Sequence, residues 1–325
     1  MGKEVILSVK NLNVNYRVYE GTMKVIDGLN LTVNMGEKVG LVGETGCGKT
    51  STLKSILRIM PQNCIYSGEI YFEGNDMMKM KSDKMRNMRR RNISMIFQDP
   101  TSALNPVFTI RDQLYSVIRN SIPERKARNK REVEKIAEKA LKEVYLADPQ
   151  RVLAGYPFQL SGGMRQRVCI AMALATNKDL LLADEPGTSL DVTIQDQVLR
   201  LIDELVAEKG LSVLLVSHSL GVVREMTDRI YVMYGGNMVE SGPTKELFKE
   251  PLHPYTVALL DCVPKLTGEG IRATISGEMV DYLNPSKGCR FAPRCKKALN
   301  ICHSTKPIQN TVGSSGHWVA CHLYE

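Results

Sequence analysis

The sequence predicts an α/β fold on a mostly parallel β-sheet, with an antiparallel β-subdomain, an inserted helical subdomain and a small cysteine-rich C-terminal extension. The first observation is a series of short apolar runs between stretches of helical periodicity, at 39–42, 179–183, 211–216 and 229–233. This order is typical of parallel strands covered by helices on both faces. The second is a glycine-rich turn after the first run, followed by helical spacing at 49–60. The third is apolar and polar alternation before residue 35, which indicates half-buried antiparallel strands.

The composition is that of a globular protein of about two domains. The chain has 325 residues, of which 43% are hydrophobic and 24% are charged, and a domain has ~150 residues on average. No apolar stretch approaches the ~20 residues that a membrane helix needs, and the first four residues contain no apolar signal region. We therefore expect a chain that neither crosses a membrane nor is exported.

Residues 99–160 contain no good strand candidate and are interpreted as the inserted helical subdomain. Within them, the segment 124–144 places apolar side chains at helical spacing among many Lys and Glu, which predicts one amphipathic surface helix. Its basic residues, and the arginine cluster at 86–91, lie among acidic residues without a pattern of stacking aromatics. That favours a solvated face over a nucleic-acid surface, so no nucleic-acid partner is expected.

Residues 43–50 read GETGCGKT and match the phosphate-loop pattern of Gly, any four residues, Gly, Lys and Ser or Thr. The loop lies between a predicted strand and a predicted helix, where backbone N–H groups and the helix N-terminus can bind phosphate oxygens. Lys49 would reach the β and γ phosphates, and the Thr50 hydroxyl would bind magnesium. The alternative is a structural glycine-rich turn. The predicted phosphate-binding residues are Gly43, Glu44, Thr45, Gly46, Cys47, Gly48, Lys49, Thr50 and Ser51.

One residue of this loop is a cysteine. If the Cys47 thiolate is exposed, we expect thiol reagents or oxidants to attack it, because reactivity requires an accessible thiolate.

Two adjacent carboxylates, Asp184 and Glu185, follow the apolar run at 180–183. They are expected at the carboxyl end of a buried strand, where α/β sheets bind ligands. Asp184 would hold the magnesium shell, and Glu185 would orient or deprotonate the attacking water in phosphoryl transfer. Without the phosphate loop, such a pair would be interpreted as a loop start or a helix cap.

The stretch LSGGMRQR at 160–167 resembles the signature motif of ABC ATPases. Taken alone, Ser161 could simply cap the helix that continues through Ala175, and a capped N-terminus would also face an anion. The resemblance makes that anion the γ-phosphate of an ATP held by another subunit. It assigns this contact in trans to Ser161, Gly162, Gly163 and Gln166.

Further residues resemble the other motifs of the same family. Gln98 matches the Q-loop, which touches magnesium and relays the nucleotide state to the transmembrane partner, and 189–191 resembles the D-loop. His218 matches the switch histidine that contacts the γ-phosphate. Tyr16 matches the aromatic residue that stacks on adenine, although Tyr19 lies close enough to compete. The resemblance thus implies that Thr50, Gln98 and Asp184 hold Mg²⁺, with Asp184 acting through a water molecule.

The chain is also similar, more narrowly, to the D-type ATP-binding subunits of oligopeptide and dipeptide importers. The motifs that carry this similarity lie at 95–100, 104–106, 156–157, 253–256 and 259–260. It implies a homologous F-type ATPase partner, two permeases, an extracellular solute-binding protein and a place on the inner face of the membrane. It also implies an ATPase core at 1–98 and 161–242, a helical subdomain at 99–160 and an extension at 243–325. Cys47, Gly187 and Ser219 depart from the family pattern, but none of these departures removes a catalytic group.

The extension contains four cysteines, with five, six and eighteen residues between them: Cys289, Cys295, Cys302 and Cys321. Structural zinc sites favour pairs two to four residues apart, whereas a cubane cluster can take thiolates from separate turns, so spacing alone leaves both open. The resemblance implies a four-iron four-sulfur cluster. Zinc, with His303, His317 or His322 as substitute ligands, and a metal-free tail are the alternatives. The last 40 residues also carry +5 of the net charge of +8.

The motifs together predict the ATP-hydrolysing motor subunit of an importer. A DNA-repair type of ABC ATPase would carry a long coiled-coil insertion, but only 62 residues separate Gln98 from Ser161. A redox-sensing or scaffolding subunit with an inert nucleotide site is a second alternative, which the intact Lys49 and Glu185 disfavour. The residues leave the substrate open among peptide, nickel chelate and oligosaccharide.

Overall fold

A computed structural model describes residues 4–127, 129–262, 275–313 and 316–325. The chain divides into two compact units. The first unit consists of Met1–Lys79 and Leu215–Glu325, and the second consists of Met80–Leu214. Among the described residues, no helix combines the length and the apolar character needed to cross a membrane.

The N-terminal half of the first unit forms an antiparallel sheet, as the alternation before residue 35 predicts. Apolar residues of its first strand are buried, among them Leu7 and Val9 and, after a shift of register, Leu12 and Val14, because alternate side chains of a strand point to the same face. The sheet order is β2-β1-β4-β5. The elements are β1 (Val5–Val18), β2 (Gly21–Asn34), β3 (Lys38–Val42), α1 (Lys49–Ile56), β4 (Cys64–Phe72) and β5 (Asn75–Asp76).

The second unit contains the helices that were expected between residues 99 and 160, and no strand lies among the residues described there. Its two strands wholly inside the unit, β6 and β7, pair in parallel. Its elements are α2 (Ser82–Arg91), β6 (Ile93–Ile96), α3 (Pro100–Ala103), α4 (Ile110–Ser121), α5 (Glu124–Ala127), α6 (Lys130–Glu143), α7 (Pro149–Ala154), α8 (Gly162–Leu174), β7 (Leu180–Asp184) and α9 (Val192–Lys209). The strand β8 (Ser212–Ser217) crosses the boundary between the units.

The prediction of one helix over 124–144 is wrong, because the segment contains two helices, α5 and α6. Asn129 stands before α6, and its side-chain oxygen accepts hydrogen bonds from the N–H groups of Arg131 and Glu132. An Asn at this position satisfies N–H groups that have no partner within the helix. The apolar side chains that predicted a single helix begin only at Val133, after this cap, so they did not show where the helix starts.

The predicted helix 49–60 is also shorter than expected and ends at Ile56. Arg58 adopts a left-handed conformation with φ of 52°, which an α-helix cannot continue through.

The C-terminal part of the first unit completes a second sheet. The strands of this sheet that lie wholly in the first unit have the order β11-β12-β10-β9-β3. The strands β3 and β9 are parallel, whereas the other neighbours in this series are antiparallel. The sheet is therefore mixed. The predicted core strands pair in parallel, β3 with β9 here and β6 with β7 in the second unit, and the antiparallel neighbours are β10 and an edge hairpin, β11 and β12, that the sequence did not predict. The elements are α10 (Leu220–Met226), β9 (Arg229–Tyr234), β10 (Asn237–Pro243), α11 (Thr244–Lys249), α12 (Pro254–Asp261), β11 (Gln309–Val312) and β12 (His317–Ala320).

An aromatic cluster joins the tail, residues 243–325, to the strands of the first unit. The rings of Tyr234 and Tyr255 lie 4.6 Å apart, and those of Tyr234 and Phe291 lie 4.9 Å apart, measured between centroids. All three side chains are buried. Tilted and edge-on ring pairs of this kind stabilise a core beyond the area they bury.

Candidate functional site

The predicted phosphate loop connects β3 to α1 in the first unit. Gly46 and Gly48 adopt positive φ angles of 83° and 111°, which favour glycine because it lacks a Cβ. At Gly43 the reason is contact, since a Cβ there would lie 2.1 Å from the Met233 carbonyl oxygen. The local sequence therefore fixes the turn that the motif requires between strand and helix.

Lys49 begins α1 and is buried. Its ammonium donates hydrogen bonds to the carbonyl oxygens of Gly43, at 2.8 Å, and Glu44, at 3.0 Å. The side chain thus lies along the inside of the loop, with its charge held where the loop would surround an anion.

The thiol of Cys47 is not exposed, so the condition for its reactivity is not met. Its exposed fraction is 3%, and burial raises the pKa of its thiol. A buried, protonated thiol is a poor nucleophile, so this position is a packing residue of the loop in the structure.

Tyr16 and Tyr19 are distinguished by their surroundings. The Tyr16 hydroxyl lies 2.8 Å from the Oγ of Ser51, in the first turn of α1. Tyr19 is fully exposed. Only the ring of Tyr16 is thereby held beside the helix that follows the phosphate loop.

The second unit brings Gln98 and Glu185 together. The Gln98 Nε2 donates to the Glu185 Oε2 at 3.2 Å, and the Thr188 hydroxyl donates to the Glu185 carbonyl oxygen at 3.1 Å. Glu185 has a φ of 45°, a conformation that costs energy in a residue other than glycine and that clusters at functional sites. Asp184 is buried at the end of β7, as the sequence predicts for the strand end.

The signature stretch forms the start of α8. The Ser161 Oγ accepts a hydrogen bond from the Met164 N–H at 3.3 Å, so the predicted cap is confirmed. Ser161 is exposed, and Gly162 and Gly163 are partly exposed. Gln166 is fully buried, and its side-chain amide has no hydrogen-bond partner among the residues that the structure describes.

The remaining predicted residues lie at the ends of strands and helices. His218 is exposed and directly follows β8, in the part of the chain that belongs to the first unit. Asp191 caps α9, with its Oδ1 accepting from the Ile194 N–H at 3.0 Å.

The four C-terminal cysteines line one cavity of the first unit. The Cys289 N–H donates to the Cys302 carbonyl oxygen at 2.8 Å. Burial raises the pKa of the Cys289 thiol to about 11 and also raises the pKa values of Cys295 and Cys321. Among the described residues, no three His, Cys, Asp or Glu side chains form a group that could hold a metal ion.

Two histidines considered as substitute ligands have other partners. The Nε2 of His317 lies 2.8 Å from the Oε1 of Glu240. Both ring nitrogens of His322 are engaged, one with Glu325 at 2.6 Å and the other with the Thr305 carbonyl oxygen at 2.9 Å.

Sequence reasoning missed a set of contacts on the phosphate loop itself. Tyr255, Tyr282 and Arg294 bond to Glu44 or Gly46. These residues lie more than 200 positions from the loop, and no spacing rule connects them. The family resemblance included Tyr255 only as one residue of the motif at 253–256. Nothing in the local sequence distinguished Arg294 from the other basic residues near it.

Comparison with known proteins gives two family matches. Residues 26–188 match the ABC transporter family, and residues 239–302 match the family of the oligopeptide/dipeptide transporter C-terminal region. The chain is 42% identical to the dipeptide transport ATP-binding protein DppD of Bacillus subtilis, over 99% of this chain and 96% of that protein. It is 41% identical to a probable peptide ABC transporter ATP-binding protein of Sinorhizobium fredii, over 98% and 95%.

Two solved structures share the fold. A dimeric ATP-binding cassette bound to ADP and Pi, in a post-hydrolysis state, has a TM-score of 0.65 at 29% identity and covers 73% of this chain and 98% of its own. The cbiO1 protein of Clostridium perfringens, part of an ABC transporter complex, has a TM-score of 0.62 at 26% identity and covers 76% and 92%.

Proposed function

The chain belongs to the ABC transporter family, among the ATP-binding subunits of peptide importers, and we propose that its phosphate loop is where it binds the ATP that drives transport. It is an ATPase coupled to transport. The observation that carries the proposal is the loop of residues 43–51, whose glycine geometry and buried lysine match the needs of a bound triphosphate.

The chain's own residues divide the work of hydrolysis. Lys49 would bind the β and γ phosphates, and the Tyr16 ring would stack on adenine. Glu185, held by Gln98, would accept the proton of the attacking water. His218 would contact the γ-phosphate. Mg²⁺, when bound, neutralises phosphate charge.

The ligands proposed for that Mg²⁺ are Thr50, Gln98 and Asp184, the last through water. Hydroxyl, amide and carboxylate oxygens form the donor set that Mg²⁺ prefers.

The exposed start of α8 supports a second ATPase subunit as partner. Its capped N-terminus, with Ser161, Gly162 and Gly163 at the surface, would contact the γ-phosphate on that subunit, which we propose is a homologous F-type chain. The burial of Gln166 removes it from the residues that support this contact. Closure of the two ATPase subunits on ATP would change the conformation of two permeases. An extracellular solute-binding protein would deliver solute to these permeases, and the ATPase pair would lie on the inner face of the membrane.

The proposed division of labour follows the family pattern. The ATPase core would be 1–98 with 161–242, the helical subdomain would be 99–160, and 243–325 would form the extension.

The test is peptide-dependent ATP hydrolysis by the assembled transporter in lipid vesicles. We expect little turnover from this chain alone, because each site needs the second subunit, and turnover that rises when peptide and binding protein are added. Lys49→Ala should abolish it, and Lys126→Ala, on the exposed surface of α5, should not. Turnover that ignores peptide would contradict the transport role, and an assembled but inert complex would favour a scaffolding or redox-sensing subunit.

We further propose that the cysteine-lined cavity holds a four-iron four-sulfur cluster. Four thiols from separate turns line one cavity, and a four-iron four-sulfur cluster is held by four thiolates. Both ring nitrogens of His322 have hydrogen-bond partners, which disfavours this histidine as a zinc ligand. The cluster would supply covalent links between loops, which stabilise a segment with little apolar core of its own.

Iron content tests the cysteine proposal. Anaerobically purified protein should be brown with about four irons per chain, and Cys302→Ser should lose both colour and iron. Cys64→Ser, a matched change at a cysteine on β4, should keep them. Stoichiometric zinc without iron, or a protein that contains no metal, would reject the cluster.

A further inference from the structure

Three side chains from the C-terminal part of the first unit contact the phosphate loop. The Tyr255 hydroxyl accepts a hydrogen bond from the Glu44 N–H at 2.9 Å. The Tyr282 hydroxyl donates to the Gly46 carbonyl oxygen at 3.0 Å. Arg294 donates to both carboxylate oxygens of Glu44, at 2.7 and 3.1 Å. The loop is thus held at two positions, through its backbone and through a side chain.

Arg294 is fully bonded in this arrangement. Besides the two bonds to Glu44, it donates to the Tyr234 hydroxyl at 3.2 Å and to the carbonyl oxygens of Ser276 and Ile275 at 3.1 and 2.9 Å. A guanidinium has five N–H donors in a rigid plane, and all five are used. Its position is therefore fixed, and a bidentate pair from a fixed guanidinium also fixes the carboxylate.

The two tyrosines are equally well defined. Tyr255 is fully buried and packs on Tyr234 and Phe291. Burial raises the pKa values of Tyr255 and Tyr282, so both hydroxyls keep their protons at neutral pH. Tyr282 is itself anchored, because its carbonyl oxygen accepts from the Lys24 N–H at 2.7 Å.

The contacts of Arg294 and Tyr282 involve no N–H group of the loop. They engage the carboxylate of Glu44 and the carbonyl oxygen of Gly46, whereas phosphate oxygens require N–H donors from the loop and the start of α1. A loop fixed in this way before ATP arrives loses less conformational freedom on binding, which strengthens the affinity.

We propose that Arg294 is a positioning residue, assisted by Tyr282, that holds the phosphate loop in its ATP-binding shape. The C-terminal extension thereby sets the ATP affinity of the site. This inference rests on the proposed function, because it takes the loop to be the ATP site.

The test compares matched variants of the full chain. Arg294→Gln removes the ion pair, Arg294→Lys keeps the charge without the bidentate geometry, and Tyr282→Phe removes one hydroxyl. Lys296→Gln makes the same charge change as the first variant at an exposed position two residues away. The measurements are the Kd of MgATP for each chain, the KM and kcat of the assembled transporter, and thermal unfolding without nucleotide.

We expect Arg294→Gln to weaken ATP binding by about tenfold and Tyr282→Phe by about threefold, as for one charged and one neutral hydrogen-bond contact. Arg294→Lys should recover part of the loss. The KM for ATP should rise while kcat stays within about twofold. The variant alters the shape of the loop before ATP binds, and it does not alter the chemical step once ATP is bound. Lys296→Gln should match the unmodified chain.

A double variant tests the route through Glu44. If Arg294 acts on that carboxylate, Glu44→Gln combined with Arg294→Gln should bind ATP no more weakly than Arg294→Gln alone, whereas additive losses would contradict the proposal. An affinity of Arg294→Gln equal to that of Lys296→Gln would overturn it. Should Arg294→Gln fail to fold, unchanged affinity in Arg294→Lys and Tyr282→Phe would overturn it instead. An unmodified chain without ATP affinity would refute the proposed function itself.

Discussion

Replacing Glu185 with Gln is expected to slow ATP hydrolysis by about 100- to 10,000-fold, the usual contribution of a general base, while ATP still binds. The amide keeps the shape of the carboxylate but cannot accept the proton of the attacking water. It can still bond to Gln98, which lies 3.2 Å away in the structure. The variant should therefore bind ATP and fail at the chemical step.

Three measurements distinguish a loss of catalysis from misfolding of the variant. MgATP affinity should be retained, turnover of the assembled transporter should fall, and ATP-bound pairs of ATPase subunits should accumulate in size-exclusion chromatography because the reset by hydrolysis is lost. Glu208→Gln makes the same change at an exposed position of α9 and should behave like the unmodified chain. Unchanged turnover in Glu185→Gln would remove this residue from the catalytic role.

The parts of the site that sequence could predict are those built by neighbours in the chain. The phosphate loop, the strand before Asp184 and the cap at Ser161 depend on a strand, a turn and a helix start that follow one another directly. Local conformational rules decide such features. Glu185 shows the limit, because its positive φ could not be inferred from a strand end.

The parts that sequence could not predict depend on long-range pairing. Arg294 and Glu44 are 250 positions apart, and their pairing follows from how the tail folds back on the sheet. The antiparallel edge strands β11 and β12 were missed for the same reason. The break between α5 and α6 was missed for a different reason. The apolar spacing begins only at Val133, so it does not mark the start that the cap at Asn129 gives to α6.

The tail depends on one buried carboxyl group, and Glu240→Ala is expected to cost about 3–5 kcal/mol of unfolding free energy, the range for removing one partner from a buried polar network. Glu240 on β10 is fully buried. It accepts hydrogen bonds from the N–H groups of Leu252 and His253, both at 2.9 Å, and its Oε1 lies 2.8 Å from the His317 Nε2 on β12.

The loss should be large because an alanine would leave several polar groups buried without partners. Burial lowers the pKa of His253 to about 4, so its ring is neutral and its Nδ1 can accept from the Tyr255 N–H at 3.0 Å. Glu240 thus orders the start of α12, which carries Tyr255 to the phosphate loop. Urea unfolding measures the cost. Glu246→Ala, at an exposed position of α11, should change stability by less than about 1 kcal/mol.

Glu240→Gln gives a graded comparison, because it preserves one acceptor oxygen and should lose less stability than Glu240→Ala. If both variants fold, the expected order of decreasing stability is unmodified chain, Glu240→Gln, Glu240→Ala. If Glu240→Ala does not fold, Glu240→Gln takes its place and should be less stable than the unmodified chain. Equal stability of Glu240→Ala and Glu246→Ala would mean that the buried carboxyl does not hold the tail. The contact between Tyr255 and the loop would then depend on aromatic packing alone.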